Sequence, residues 1–313
     1  MNSTKSILIV GLGSLGRNYL KAISKLKFRA DVYFYDKKKI EREKKIKNTK
    51  NIRFIKLNNL KFLKKKIDLV IVSTTAKGRL NLIRELIKTK SKYWIIEKII
   101  EQNRNSINKI SKILKPFKCW VDMPRRGLKE YKKIKSILKK KKLTNIDLNL
   151  TIKGDRIVTS SVHLIDIMCW LFNTSIKEIN TNYLNRRWVE SKRKGFFDIG
   201  GKLIILLKNN SKIVIKTTKK PTSGDIIIGN NFFTFNISET RGNILTSDGK
   251  KINLLTPHVS LIMTKIITQI LFKGKSKLPK LDDAVHDHNM LIDNLKLYWE
   301  KRHAKKIKNL PVT

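Results

Sequence analysis

The chain has 313 residues, long enough for two domains that each bury a core, and its 41% hydrophobic content excludes a disordered chain. Lys and Arg total 70 against 24 acids, a formal charge of +46 that on its face points to a polyanion partner. Cys119 and Cys169 sit in apolar surroundings and are too few for a disulfide framework or a metal cluster, so a reducing, cytoplasmic setting without a metal site is expected.

The first third alternates short apolar β-rich runs with helical patterns, as a parallel α/β sheet requires. Ser6–Val10 predicts a strand, followed by a helix with Leu15, Tyr19, Ala22, Ile23 and Leu26 on one face. Strands are predicted next over Asp31–Tyr35, Ile52–Lys56 and Asp68–Ser73, the last leading to a helix that buries Leu82, Ile83, Leu86 and Ile87. Tyr93–Ile96 and Cys119–Val121 read as the fifth and sixth strands, with helices near Ser106–Leu114 and Leu128–Lys140.

After about residue 143 the pattern changes. A strand over Asn145–Lys153 and a helix over Ser160–Phe172 precede the strand-like runs Lys202–Lys208, Lys212–Thr218, Ile226–Ile228 and Phe232–Ser238. Short turns between them suggest a largely antiparallel sheet. Two helices, near Val259–Phe272 and Asp282–Lys301, close the chain. The expected fold class is α/β: a Rossmann doubly wound parallel sheet over residues 1–122, then an α+β domain over 123–313 with an open, largely antiparallel sheet.

The charge has a compositional reading. Alanine occurs only at Ala22, Ala30, Ala76, Ala284 and Ala304, while Lys, Ile and Asn, whose codons are A/T-rich, recur throughout. The lysines also scatter over the polar faces of most helices (Lys37–Lys39, Lys64–Lys66, Lys139–Lys142, Lys305–Lys308) and form no arm with interleaved aromatics. No dedicated nucleic-acid partner is expected, although anionic ligands should be attracted in a salt-dependent way. The run Ile7–Val10 is broken by glycines and Arg17, unlike a signal peptide, and no stretch reaches the ~18 apolar residues of a membrane helix. A soluble protein is expected.

Gly11-Leu12-Gly13-Ser14-Leu15-Gly16 has the form G-x-G-x-x-G, a weak signal alone. Here it follows a strand, opens an amphipathic helix, and has Asp36 placed 20 residues beyond Gly16 at the end of the second strand. Gly11 permits the tight turn, Gly13 lets backbone N–H groups approach a diphosphate, and Gly16 lets the helix pack on the strand. Asp36 suits the two ribose hydroxyls of NAD and repels a 2′-phosphate; Lys37 and Lys38 beside it keep NADP open as the alternative.

Through Ser73-Thr74-Thr75, Glu97-Lys98-Ile99, Pro124-Arg125-Arg126, His163-Leu164-Ile165-Asp166 and Leu278-Pro279, nearly the whole chain resembles the glucose–fructose oxidoreductase / inositol dehydrogenase (Gfo/Idh/MocA) family. The likeness is nearest to a sub-group from surface-polysaccharide gene clusters. It rests on the order and spacing of short motifs. It implies a nicotinamide-dependent oxidoreductase acting on a sugar, nucleotide sugar or polyol, and a homodimer or homotetramer built on the open second sheet. It also places Ser73, Thr74, Thr75, Glu97 and Lys98 at the cofactor, beside Gly11, Gly13, Ser14, Leu15, Gly16, Asp36 and Lys37.

Two positions depart from the family pattern. Ile99 stands where the family has a proline that is often cis; cis before a non-proline costs ~3 kcal/mol, so a trans Lys98–Ile99 bond is expected. Thr159 stands where the family commonly has an Asp four residues before the helix histidine, and it can bond a sugar hydroxyl but cannot take a proton.

His163, with an unperturbed pKa of about 6.5, is the candidate to exchange the hydroxyl proton, and Lys98 to stabilise developing alkoxide charge. Asp166 orients His163 or equally caps or braces the domain junction, and Arg125 and Arg126 are candidates to fork a carboxylate or phosphate on the substrate. His286 and His288 read as surface or packing residues, and Trp170 and Trp188 as core, Trp188 being an outside candidate for sugar stacking. The competing expectations are a degenerate NAD-binding sensor or scaffold, a reductase of a non-sugar carbonyl, and a nucleic-acid binder.

Overall fold

The structure is a computed structural model that describes residues 4–38, 46–63, 66–253 and 259–313. Lys39, Lys64 and Lys65, among the lysines singled out above, lie outside the described residues. The fold is the one expected: a parallel Rossmann-type sheet followed by a mixed, mainly antiparallel one.

The first sheet begins with β1 (Lys5–Val10), whose Ile7, Leu8 and Ile9 are fully buried. Such a continuous apolar run needs cover on both faces, as a central parallel strand has. α1 (Ser14–Ile23), β2 (Ala30–Tyr35), β3 (Ile52–Lys56), β4 (Leu69–Val72), α2 (Arg79–Leu86), β5 (Tyr93–Ile96), α3 (Arg104–Leu114) and β6 (Lys118–Val121) follow. The six strands pair in the order β3-β2-β1-β4-β5-β6, all parallel. The order reverses between β1 and β4, so the crevice at their carboxyl ends is where a ligand of such a sheet binds. The glycine loop, Asp36, Ser73–Thr75 and Glu97–Lys98 all leave strands at that edge.

A 3-10 turn over Pro124–Gly127 and α4 (Lys129–Lys140) lead into β7 (Asp147–Lys153). α5 (Ile157–Phe172) comes next, with eleven of its sixteen residues buried, including Val158, Val162, Leu164 and Ile167. A helix apolar nearly all round sits inside a domain. β8 (Ile176–Asn180), β9 (Leu184–Glu190), β10 (Phe197–Leu207), β11 (Lys212–Thr218), β12 (Ile226–Gly229), β13 (Thr234–Ser238), β14 (Asn243–Thr246) and β15 (Lys251–Asn253) complete a nine-stranded sheet. Its order is β15-β14-β13-β12-β7-β11-β10-β8, with β9 paired to β10, and only β7 and β11 run parallel. Leu148, Leu150 and Ile152 of β7 are buried while Asn149, Thr151 and Lys153 alternate outward, as a sheet with one covered face requires.

α6 (Val259–Lys273) and α7 (Leu281–His303) end the fold. The chain divides into two compact units, and the single cut expected after residue 122 becomes several crossings. α6 returns to the first unit, where Met263, Ile266, Ile267 and Ile270 join Tyr19, Ala22 and Ile23 in the core under the parallel sheet. Residues Gln102–Ile107 belong to the second unit, as does the chain from Asp283 to its end. Among the described residues no helix is long and apolar enough to cross a membrane.

Candidate functional site

The glycine loop is fixed by contacts that a side chain would destroy. Gly11 has φ +95°, and a Cβ on Gly16 would lie 1.9 Å from the Gly11 carbonyl oxygen. Gly13 differs, because a Cβ there would meet nothing within 4 Å. Its glycine is therefore not demanded by packing within the protein. α1 starts with Gly13 as its N-cap, without a side-chain cap and without an acid in the first turn. Ser14 and Leu15 open that turn, and its amides carry the positive end of the helix dipole. An uncapped helix start behind an open glycine fits a diphosphate, so the residues present suit a dinucleotide.

Asp36 is tied to this loop. Its Oδ2 accepts the Leu12 amide at 2.6 Å and its Oδ1 accepts the Lys38 amide at 2.8 Å, while Lys37 is exposed. The carboxylate thus braces the turn from the end of β2. Ser73 is buried, and its hydroxyl lies 2.6 Å from the Gly11 carbonyl and 3.2 Å from that of Val10. It joins the β4 edge to the loop. Thr74 and Thr75 are half-buried beside it.

Arg79, at the start of α2, is only 1% exposed. Its guanidinium donates to the carbonyl of Glu97 at 2.6 Å, to that of Ile100 at 2.9 Å, and to those of Ile99 and Thr74. One fork therefore gathers the turn after β4 and the turn after β5, which carries Lys98. Glu97 Oε2 accepts the Lys98 amide at 3.1 Å. The Lys98–Ile99 peptide bond is cis, which corrects the expectation of trans. That expectation weighed only the local preference; the turn is set by tertiary contacts, with Ile99 fully buried and its carbonyl held by Arg79.

Asp122, directly after β6, escaped the sequence reading. It is 4% exposed, and the charged groups around it are Glu97 and Lys98. Burial first, and the Glu97 charge next, push its carboxyl up to about 7, against the Tyr19 hydroxyl and Lys98, which favour the anion. A single Asp in an apolar stretch offers no periodic signal. Only strand pairing, Ile96 opposite Val121, brings it beside Glu97.

In the second unit, α5 carries Thr159, His163 and Asp166. The Asp166 carboxylate is held by Arg126, with Nη2 to Oδ1 at 2.7 Å and Nε to Oδ2 at 3.1 Å. This ion pair ties α5 to the 3-10 turn over Pro124–Gly127. Burial pushes its pKa up to about 6, with Arg126 opposing. Arg125 is likewise engaged: Nε and Nη2 meet the two oxygens of Glu239 at 2.6 and 2.9 Å, and the Tyr131 hydroxyl donates to Oε1 at 2.6 Å. The forks expected to await a substrate anion are each taken by a carboxylate from elsewhere in the chain. The sequence separations of 114 and 40 residues hid both pairings.

Thr159 donates its hydroxyl to Asp198 Oδ2 at 2.9 Å, and the amides of Val158 and Thr159 reach the same carboxylate at 2.8 and 3.2 Å. Asp198 on β10 thus supplies, from a distant strand, an acid at the start of α5. His163 is half-buried one turn further along. His288 is buried, with Nδ1 2.8 Å from the Ala284 carbonyl, and His286 is exposed. Trp188 packs against Trp299, ring centroids 4.8 Å apart, so it belongs to the core; Trp170 is half-buried under Lys135.

No protein-family model matches the chain, and no curated protein matches its sequence. Solved structures do match its fold. Scyllo-inositol dehydrogenase from Lactobacillus casei, determined with NAD(H) and scyllo-inositol bound, aligns with TM-score 0.65 at 14% identity, covering 93% of this chain and 95% of that one. UDP-N-acetylglucosamine 3-dehydrogenase from Acidithiobacillus ferrooxidans aligns with TM-score 0.69 at 12% identity, over 95% and 97% of the two chains. An oxidoreductase from Thermotoga maritima gives TM-score 0.67 at 14% identity, over 93% and 96%. The chain has the two-domain fold of these enzymes.

Proposed function

We propose that the protein is an NAD-dependent oxidoreductase of the Gfo/Idh/MocA type, acting on a CH–OH group of a sugar, nucleotide sugar or polyol. The observation that carries this reading is the glycine loop: Gly13 has open space beside it at an uncapped helix start, and Asp36 is bound to the loop backbone. The similar enzymes include one that binds NAD(H) and an inositol and one named for a nucleotide-sugar substrate, which supports both the cofactor and the substrate class. Asp36 favours NAD over NADP, since a carboxylate repels a 2′-phosphate.

Gly11, Gly13, Ser14, Leu15 and Gly16 hold the diphosphate, Asp36 the ribose, and Ser73, Thr74, Thr75, Glu97 and Lys98 line the same sheet edge. When bound, the nicotinamide supplies the hydride donor or acceptor. His163 is the group to take the hydroxyl proton in oxidation and return it in reduction, and Lys98 the group to stabilise developing alkoxide charge. Thr159, its hydroxyl already donated to Asp198, can accept a bond from a sugar hydroxyl. Arg125, Arg126 and Asp166 shape the site as closed ion pairs. The outward face of the second sheet, with Ile227 and Leu245 exposed on β12 and β14, is the surface we assign to a homodimer or homotetramer.

The test is NADH titration together with redox assays on a panel of inositols, sugars and nucleotide sugars. His163→Ala is expected to lower turnover at least ~100-fold with NADH affinity retained. A wild-type protein that binds NADH and turns over nothing on the panel would favour the sensor reading instead.

A further inference from the structure

α5 ends at a cleft that the proposed chemistry leaves unused. The cleft holds about 620 Å³ and lies within the second unit, among α4, the end of α5, the start of α7 and the residue after β10. That volume suits a small molecule. Asn173 closes α5 in a left-handed conformation, φ +50°, and the Thr174 amide donates to the Cys169 carbonyl at 3.0 Å. The Lys208 amide donates to the Ser175 carbonyl at 2.9 Å, which sets the end of β10 against this turn.

Trp170 lines the cleft and is held there from α4: Lys135 Nζ donates to the Trp170 carbonyl and lies 4.0 Å from the ring centroid. The indole is thus a fixed apolar surface with a cation already on it. Lys208 brings a second ammonium to the lining. From α7, Asp283 and Asp287 line the same cleft one turn apart, a spacing at which like charges repel. The chain has 70 Lys and Arg against 24 acids, yet among the described residues Asp283, Asp287 and Lys208 form no ion pair. Ammonium groups alone would call for an anion, but the two carboxylates repel one. A ligand whose polar groups each donate and accept satisfies both sets, and sugar hydroxyls do so.

We propose that this cleft is a second ligand site and that it binds a saccharide. Asp283 and Asp287 accept from its hydroxyls, Lys135 and Lys208 donate to them, and the Trp170 ring packs against its C–H face. The cleft stands apart from the start of α5, since the helix rises ~15 Å from Thr159 to Cys169. The inference goes beyond the dehydrogenase reading and does not depend on it.

The experiment is a calorimetric titration of the full chain with D-glucose, N-acetyl-D-glucosamine, maltose and inorganic phosphate. Saturable binding of at least one sugar is expected, and none of phosphate. That binding should persist in His163→Ala and weaken at least ~10-fold in Trp170→Ala and in Asp283→Ala, with NADH affinity unchanged. Asp283 is exposed, so its variant serves if Trp170→Ala does not fold. Saturation by phosphate alone, or by none of the four probes, overturns this inference. So does sugar binding that vanishes in His163→Ala or that the cleft variants leave untouched. A protein that binds sugar through the cleft and turns over no substrate overturns the dehydrogenase reading and leaves this site standing.

Discussion

Thr159 Oγ1 and Asp198 Oδ2 are 2.9 Å apart, and this bond joins the first turn of α5 to a strand 39 residues further along. The same carboxylate accepts the Val158 and Thr159 amides, so it caps a helix that has no side-chain cap of its own. Bonds to an ionised acceptor are worth more than neutral ones. Asp198→Ala is expected to cost about 3 kcal/mol, measured as a lower urea midpoint, and to lower turnover by loosening the turn ahead of His163. An unchanged midpoint would show that α5 starts well without it.

Asp166 predicts a pH effect with a definite sign. Its folded-state pKa of about 6 lies above the value near 4 of an unfolded chain, so the folded protein binds the proton more tightly. Its contribution to stability is therefore fully present below pH 4 and is lost as pH rises through about 6. Asp166→Asn removes that dependence. Between pH 4 and 7 the wild type should lose about 2 kcal/mol relative to the variant, seen as converging or crossing denaturation midpoints. Parallel curves would contradict the assignment.

The first sheet was legible because its strands are apolar runs bounded by turns, and Ile7–Val10 or Leu69–Val72 can only be interior strands. β8 and β9 were not, since β9 reads Leu-Asn-Arg-Arg-Trp-Val-Glu and buries only Leu184 and Trp188. The placement of α6 was hidden for another reason. An apolar helix face shows that it packs, not which core it joins, and here it packs with α1. The glycine loop and Asp36 could be picked out by spacing, and Lys98 and His163 only as candidates through the family resemblance. The partners Glu239 of Arg125 and Asp198 of Thr159 could not, because long-range pairing leaves no local pattern.

Arg79 supplies a third prediction. A fully buried guanidinium that donates to the Thr74, Glu97, Ile99 and Ile100 carbonyls ties two turns of the sheet edge together. Arg79→Lys keeps the charge but not the planar fork. It is expected to destabilise the fold by about 3 kcal/mol and to raise the KM for both cofactor and substrate, since the Thr74 and Lys98 turns would no longer be held together. Equilibrium denaturation and steady-state kinetics check the two parts. A variant as stable as wild type would show that the carbonyls find other donors.

Gly13 and Gly16 separate folding from binding within one loop. A methyl on Gly16 would stand 1.9 Å from the Gly11 carbonyl, so Gly16→Ala must push α1 off β1 and is expected to lower the midpoint of thermal unfolding along with cofactor binding. A methyl on Gly13 meets no protein atom within 4 Å, and Gly13 has no left-handed backbone that would strain an alanine. Gly13→Ala should therefore fold and melt like the wild type. If a diphosphate sits against this helix start, the methyl occupies the space it needs, and NADH affinity should fall at least ~10-fold, about 1.4 kcal/mol. Fluorescence titration with NADH, paired with a melting curve, reads both quantities on the same sample. A Gly13→Ala protein that binds NADH as tightly as the wild type would remove the dinucleotide from this loop.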